Sequence, residues 1–323
     1  MTITANHIRY LQRHEIDPTA WDDCIRLSPA GLIYARSFFL DAIAGGQWSG
    51  LVMGDYEAVM PLVWNKKYGF TYLYQPHFVP ALGVFYKAPG PEGSPFDSKA
   101  PSSPLETFLS AIPSRFRFWD FDCNENNSLS PGSPVKHTLR QNFFLPLDRP
   151  GDDIRKGYKR LARRMGQKAL EGRLTIERDS APDEIIRLFQ KEYDRALPHI
   201  AAEVYRRMTD ATRIARTEDH LSTYLARQPD GQILAFYLLL RDDKFVYSVM
   251  GGSTGEGKEK GAFYLLTDAA IQDHCNTKRV FRFEGSDEPG IAFFNAQFGS
   301  YPIQYPHLVL NKLPFPINLL KSK

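Results

Sequence analysis

The sequence predicts an α/β (α+β) protein of two tandem domains, each a mixed, largely antiparallel sheet flanked by helices. At 323 residues the chain exceeds a single domain of about 100–200 residues, so two domains are expected. Both halves also show the same order: helical patterns, a meander of strands, then one more helix and one more strand. We expect domains at residues 1–148 and 149–323, divided at the turn sequence DRPG that begins at Asp148.

The first half begins with a short strand and two helices and then turns to β structure. Asp17 and Pro18 mark a helix start, and residues 49–87 alternate apolar runs with turn signals. Residues 88–104 are rich in Pro, Gly and Ser and predict a solvated loop. A strand is expected at FRFWDFDC, residues 116–123.

The second half begins with a basic amphipathic helix, predicted at 153–172. Further helices are predicted at 182–196 and 217–226. A hairpin is then expected, with strands QILAFYLLL and FVYSVM on either side of the turn at 241–244.

Composition narrows the class of protein. Apolar content of 43% suits ordinary cores, and a net charge of +3 is too small to indicate a nucleic-acid binder by itself. The three cysteines, Cys24, Cys123 and Cys275, lie far apart without metal-ligand spacing, which favours a reduced cytoplasm and predicts no metal site. The sequence has no signal-peptide pattern and no apolar run of membrane-spanning length, so we expect a soluble cytoplasmic protein.

One segment, residues 245–285, indicates chemistry through its backbone. An apolar strand runs into a glycine-rich stretch, which is followed by a helix and a second apolar strand that ends at Glu284. Glycines can take positive φ and present bare amides to an anion, and the first turn of the next helix would point its free N–H groups there. The predicted cofactor-binding residues of this anion site are Val249, Gly251, Gly252, Gly257, Lys258, Gly261 and Ala262.

Two other interpretations of this stretch stay open. Residues 252–258 match GxxxxGK, but Glu259 stands where a nucleotide-binding loop needs Ser or Thr for Mg²⁺. An ordinary flexible connector would show the same glycines.

The order of strand, glycine-rich turn, helix and strand resembles the core of the GNAT superfamily of acyl-CoA N-acyltransferases. YKRLARRMGQKALEGRLTIER, then QILAFYLLL, YSVMGGS and FRFEGSDEPGIAFFNAQFGSYPIQY, is similar to the FemAB-like branch, which carries two GNAT-type domains in tandem. WDDCIRLSPAGLIYARSFFLDAI in the first half is also typical of that branch. The register from Lys258 to Phe263 departs from the usual pyrophosphate signature, since Phe263 takes the place of Gly or Ala.

The resemblance implies an acyltransferase that moves an acyl or aminoacyl group from an activated donor to an amine. Acyl-CoA is the expected donor, as a substrate rather than a permanently bound cofactor. A FemAB-type ligase that uses aminoacyl-tRNA and a peptidoglycan precursor is an alternative, although the coiled-coil arm of some such enzymes has no counterpart here. A non-catalytic binding protein with a degenerate fold is another alternative, and the oligomeric state is not predicted.

The resemblance also gives catalytic candidates. Glu284 would be the general base that takes the proton of the attacking amine, with the carbonyl polarised by a strand-edge amide near Val249 to Gly251. Tyr247 is a candidate acid for the leaving group, and Tyr264 is a second one. The competing interpretations are a surface ion pair between Arg282 and Glu284 and packing roles for both tyrosines.

Substrate contacts are predicted from charge and position. Arg160, Arg163 and Arg164 suit bidentate contacts to phosphate, although a solvated helix face would look the same. His199 lies where GNAT acceptor loops usually lie, and Ser286 follows Glu284. Asp120 and Asp122 end the matching strand of the first domain, which has no glycine stretch; we expect that domain to lack a cofactor site and to serve as a wall of the acceptor cleft.

Overall fold

The computed structural model describes residues 8–87 and 104–321, and the chain divides into two compact units. The first unit contains Met1–Arg140 together with Gln304–Lys323, and the second unit is Gln141–Ile303. This division differs from the predicted one at residue 148, because the end of the chain returns to a sheet of the first unit. The predicted loop at 88–104 lies, apart from Pro104, outside the described residues.

Among its described residues, the first unit is a mixed sheet with three short α-helices. Its strands run in the order β1-β2-β3-β4-β6-β13, all antiparallel to their neighbours except the parallel pair β4 and β6, and β5 pairs with β3. A core that includes Met60, Phe108, Trp119 and Leu308 fills one face. The elements are β1 (Ile8–Gln12), α1 (Pro18–Leu27), α2 (Ser37–Ala44), β2 (Trp48–Met53), β3 (Ala58–Lys67), β4 (Phe70–Tyr74), β5 (Phe85–Tyr86), α3 (Leu105–Ser110), β6 (Phe116–Asp122) and the greater part of β13 (Tyr301–Asn311).

The second unit repeats the mixed sheet. The strand order is β7-β12-β11-β10-β9-β8, and only β11 and β12 are parallel. Its core includes Leu145, Leu239, Val246, Leu266 and Phe281. The elements are most of β7 (His137–Pro146), α4 (Gly151–Lys156), α5 (Arg160–Glu171), β8 (Thr175–Arg178), α6 (Pro182–Tyr193), α7 (Ala202–Thr217), β9 (Leu221–Arg227), β10 (Ile233–Arg241), β11 (Phe245–Ser253), α8 (Gly255–Lys260), α9 (Ala262–His274), β12 (Val280–Arg282) and α10 (Pro289–Asn295).

Short 3-10 helices complete the description, at Arg13–Glu15, Ile33–Ala35, Ala296–Phe298 and Ile317–Lys321. Within the described ranges, every helix is too short or too polar to cross a lipid bilayer.

The predicted fold class is confirmed, and so is the hairpin of β10 and β11. The predicted helix at 217–226 is wrong. Thr217 ends α7, and residues 221–226 belong to β9. Because β9 pairs with β8 on one side and β10 on the other, sheet pairing and burial of Tyr224 and Leu225 outweigh local helix propensity. The single helix predicted at 153–172 is also divided, since the Lys159 N–H leaves the helical pattern to donate to the Gln297 carbonyl.

Candidate functional site

The two parallel strands of the second unit separate after three residue pairs. The register runs from Phe245 opposite Val280 to Tyr247 opposite Arg282, where β12 ends. β11 continues to Ser253 and, in the described part of the chain, is paired there only with β10. The edge of β11 from Ser248 to Ser253 is therefore open on the side that β12 has left. Ligands of mixed α/β sheets bind at such carboxyl ends of parallel strands.

A β-bulge lies at the start of this open edge. Leu238 pairs with Met250 and Leu239 pairs with Ser248, so Val249 is the additional residue of β11. A bulge bends the strand and turns its backbone groups away from the regular ladder. The predicted contact between a donor carbonyl and the backbone near Val249 thus falls where the ladder is irregular.

Gly251 and Gly252 belong to β11 itself and not to a loop. A Cβ atom at Gly251 would lie 2.6 Å from Phe263 and 2.7 Å from Tyr237, and one at Gly252 would lie 2.6 Å from the Tyr193 hydroxyl. Neither glycine has positive φ. They are glycines because aromatic side chains approach the strand closely, which corrects the prediction that they form a flexible anion loop.

Gly257 and Gly261 also have packing roles. Gly257 lies inside α8, where a Cβ would be 2.1 Å from the Leu234 carbonyl oxygen, and its N–H donates to Thr254 Oγ1 at 3.0 Å. That amide is therefore occupied, which corrects the prediction that Gly257 presents it to an anion. Gly261 has a φ of 73° and ends α8, so α9 begins directly at buried Ala262.

The beginning of α9 and the exposed end of α8 are the parts of this segment suited to an anion. No side chain caps α9, and its first-turn N–H groups follow β11 by way of α8. Lys258 is exposed in the last turn of α8. Lys260 is paired with Glu256 at 2.8 Å and is less free to move.

Glu284 is a buried, ion-paired carboxylate just beyond β12. Arg282 Nε donates to its Oε1 at 3.0 Å, and the two side chains are 2% and 8% exposed, so the pair is not on the surface as the alternative interpretation expected. Asn142 Nδ2 donates to Oε2 at 2.5 Å, while Asn142 Oδ1 accepts the Glu284 N–H at 2.9 Å. The Arg282 guanidinium also lies over the rings of Phe144 and Phe245.

The backbone at Glu284 is in an unusual conformation. Its φ is 52°, a left-handed value that costs a non-glycine residue on the order of 1 kcal/mol. Two contacts to Asn142 hold it there. Ser286 belongs to the same network and is buried, since its hydroxyl donates to Asn142 Oδ1 and accepts a hydrogen bond of 3.0 Å from Asn295. Ser286 therefore supports Glu284 and does not face solvent.

The predicted acid Tyr247 is fully buried, and its hydroxyl donates to Asp242 Oδ2 at 2.5 Å. Burial raises the pKa of the Asp242 carboxyl. Tyr247 therefore points to the turn of the hairpin rather than to the open edge of β11. Tyr264 packs against Phe294 and Phe298, and burial raises its pKa, so a packing role accounts for it.

Tyr193, at the end of α6, is a residue that sequence reasoning missed. Its hydroxyl reaches Gly252 on the open part of β11, while its ring packs on Phe189 at 4.8 Å. Burial raises the pKa of the Tyr193 hydroxyl. The contact between Tyr193 and Gly252 has no local sequence signal, because it depends on how α6 packs on β11.

Of the predicted substrate residues, only Ser286 belongs to the hydrogen-bond network around Glu284 and Asn142. Arg160, Arg163 and Arg164 are exposed in the first turns of α5 and form no ion pair among the described residues. Arg155, in contrast, is paired with Asp268 at 2.8 Å. His199 is exposed in the turn between α6 and α7.

Part of the second unit matches a known protein family. Residues 152–289 match the family described as acetyltransferase (GNAT) domain, which covers the open edge of β11, α9 and Glu284. No curated protein matches the chain.

Solved structures extend the likeness to the whole chain. The crystal structure of FemX is similar with a TM-score of 0.63 at 12% identity, covering 98% of this chain and 100% of that one. The C-terminal domain of a putative lysylphosphatidylglycerol synthetase from Agrobacterium fabrum gives a TM-score of 0.51 at 12% identity, covering 94% of each chain. A conserved protein of unknown function from Bacteroides thetaiotaomicron VPI-5482 gives 0.51 at 11% identity, covering 95% of this chain and 100% of that one.

These likenesses confirm the predicted GNAT-type fold and the resemblance to FemAB-like proteins. The match of residues 152–289 supports an acyltransferase.

Proposed function

We propose that the second unit transfers an acyl group from acyl-CoA to an amine, and that the donor lies along the open edge of β11. The single observation that carries this proposal is the separation of β11 from β12 after Tyr247 and Arg282, with a bulge at Val249 beside the opening. A chain that lies along such an edge can hydrogen-bond to backbone groups that no strand uses.

The donor would extend from the bulge toward α9. Backbone N–H groups near Val249 to Gly251 would polarise the thioester carbonyl as negative charge develops on its oxygen. The pyrophosphate would lie at the beginning of α9, where uncapped N–H groups and the helix dipole favour an anion, with Lys258 nearby. Gly251 and Gly252 permit Phe263 and Tyr193 to wall this edge.

In the reaction, the amine nitrogen attacks the thioester carbon, and the carbon–sulfur bond then breaks. The amine loses one proton and the departing thiolate gains one. Glu284 is the proposed base, acting directly or through water. The hydroxyl of Tyr193 at the open edge is better placed than that of Tyr247 to donate to the leaving sulfur, because Tyr247 already donates to Asp242.

A thermal-shift screen of CoA and its short acyl esters tests the donor. A ligand that binds only the folded state stabilises it by RT ln(1 + [L]/Kd), which is about 2.7 kcal/mol at 100 times Kd. We expect acetyl-CoA to raise the melting temperature in proportion to the logarithm of its concentration. The absence of a shift with every ester would overturn the acyl-CoA proposal.

One observation supports aminoacyl-tRNA as a second candidate donor. Arg160, Arg163 and Arg164 stand among like charges at the positive end of α5, where no acid occupies the first turn. Positive charges at the positive end of a helix repel the helix dipole and one another, which destabilises the helix. A polyanionic partner would relieve this repulsion.

Filter binding of tRNA over a range of salt concentrations tests this candidate. Affinity should fall steeply with salt and should drop when the three arginines of α5 are changed to Gln. The matched control changes Arg206, Arg207 and Arg213 of α7 to Gln, because these are ion-paired to Glu203, Asp210 and Asp183. Equal loss in both triple variants would contradict a specific role for α5.

A further inference from the structure

The first unit contains a buried carboxylate that orients a histidine. Asp122, at the end of β6, is 5% exposed and lies 3.0 Å from His307 Nδ1 on β13. Arg140 Nη1 donates to the same carboxylate at 2.8 and 3.1 Å. The Gln75 side chain accepts the Asp122 N–H at 3.0 Å. The group lies at the carboxyl ends of the parallel strands β4 and β6, which is where mixed sheets bind ligands.

This contact selects the tautomer of a neutral imidazole. An ionised carboxylate only accepts hydrogen bonds, so the proton of neutral His307 belongs on Nδ1. Nε2 then carries the lone pair. His307 is 12% exposed, and its Nε2 faces Asp120 Oδ1 across 3.7 Å.

Asp120 and His307 Nε2 therefore present two acceptors to the same space. The Asp120 side chain is 48% exposed, and its carboxylate accepts no hydrogen bond from the described residues. Two acceptors 3.7 Å apart can both be reached by one nitrogen at about 2.8–2.9 Å from each, which is an ordinary hydrogen-bond length. A primary ammonium has three N–H donors and fits this requirement.

Aromatic rings stand on the same face of the sheet. Tyr74 is directly opposite Asp120 in the parallel register, and Tyr72 is opposite Phe118. The two tyrosine rings are 5.9 Å apart. Rings next to an ammonium add a cation–π attraction.

The charges agree with a cationic ligand. Asp122 and Arg140 neutralise each other, so with the Nδ1–H tautomer of His307 the group keeps one negative charge, on Asp120. We propose that Asp120 and His307, with Tyr74 beside them, form a binding site for a primary ammonium group on the first unit. An amine is the substrate that the proposed acyl transfer requires, so the assignment of this ligand as the substrate rests on the proposed function. It also gives the first unit a binding role beyond the wall expected from the sequence.

The probe is Nα-acetyl-lysine amide, which has one ammonium group, and its comparison compound is the same molecule acetylated on Nε. The full chain, labelled in its histidine rings, is titrated with each compound while the His307 signal is followed by NMR. The His307→Gln variant identifies that signal. We expect a saturable shift with the amine and none with the acetylated compound.

Asp120→Asn is nearly isosteric and breaks no hydrogen bond of the described residues, so it should fold. We expect it to weaken amine binding at least tenfold. Asp55→Asn removes the same charge from an exposed position of the first unit and should bind as the wild type does. Equal shifts with both compounds, no shift with either, or unchanged affinity in Asp120→Asn would each overturn the proposal. Because the titration contains no acyl donor, its result is independent of the acyl-CoA screen.

Discussion

Removing the charge of Glu284 should destabilise the second unit strongly through Arg282. The Arg282 side chain is only 2% exposed, and Glu284 is the acid that faces it at 3.0 Å. Breaking a buried pair on one side typically costs about 3–5 kcal/mol, because the other charge stays buried. The rings of Phe144 and Phe245, with centroids 4.7 and 5.1 Å from the guanidinium carbon, retain part of the stabilisation. We therefore expect Glu284→Gln to cost about 3 kcal/mol.

The double variant Glu284→Gln with Arg282→Met separates this effect from general damage to the core. Without either charge, Met can pack against the same rings, so most of the lost stability should return. Urea unfolding followed by far-ultraviolet circular dichroism measures it, since all four tryptophans lie in the first unit and report on that unit. If the double variant is as unstable as the sum of the two single variants, the reasoning about the buried pair is refuted.

Three further predictions concern stability. Gly252→Ala places a Cβ 2.6 Å from the Tyr193 hydroxyl and should lower the free energy of unfolding by about 1–3 kcal/mol. The control Gly255→Ala meets open space and should change that free energy little; a large loss in the control would contradict the reasoning. Gly261→Ala should destabilise the protein by more than 1 kcal/mol, because its φ is 73° and a Cβ would lie 2.3 Å from the Met165 carbonyl oxygen. The control Gly166→Ala, inside α5, should leave stability unchanged or raise it. The midpoints of urea unfolding measure both. Burial, aided by the charges of Arg241 and Arg279, lowers the pKa of His274 to about 4. Between this value and the unfolded pKa of about 6.5 the unfolded chain binds more protons than the folded one, so the free energy of unfolding should fall by up to about 3 kcal/mol as the pH falls from 6.5 to 4. His274→Asn should remove this pH dependence.

The sequence predicts the fold class and several elements because their patterns are local. The hairpin of β10 and β11 has two apolar runs around a polar turn, and α9 has apolar residues at helical spacing. β9 was assigned wrongly because Leu221–Arg227 is placed by its two neighbouring strands, which a local pattern does not contain.

The candidate site was predictable in position more than in detail. Strand order alone predicts that the end of β11 and Glu284 lie beside the two parallel strands, and the structure has both at that position. The sequence does not show why these positions are glycines, because the groups that would clash with a Cβ are distant in the sequence. Phe263, Tyr193 and Leu234 occupy that space at Gly251, Gly252 and Gly257, respectively. The partnership of Glu284 with Asn142 is likewise a contact over long sequence separation.

Backbone hydrogen exchange of the full chain, with and without acetyl-CoA, tests the central claim most directly. If the donor lies along the open edge of β11, acetyl-CoA should slow exchange in peptides that cover Ser248–Ser253 and the first turn of α9, and Gly252→Val should abolish that protection. Protection confined to other parts of the chain, or no protection at saturating acetyl-CoA, would contradict the account.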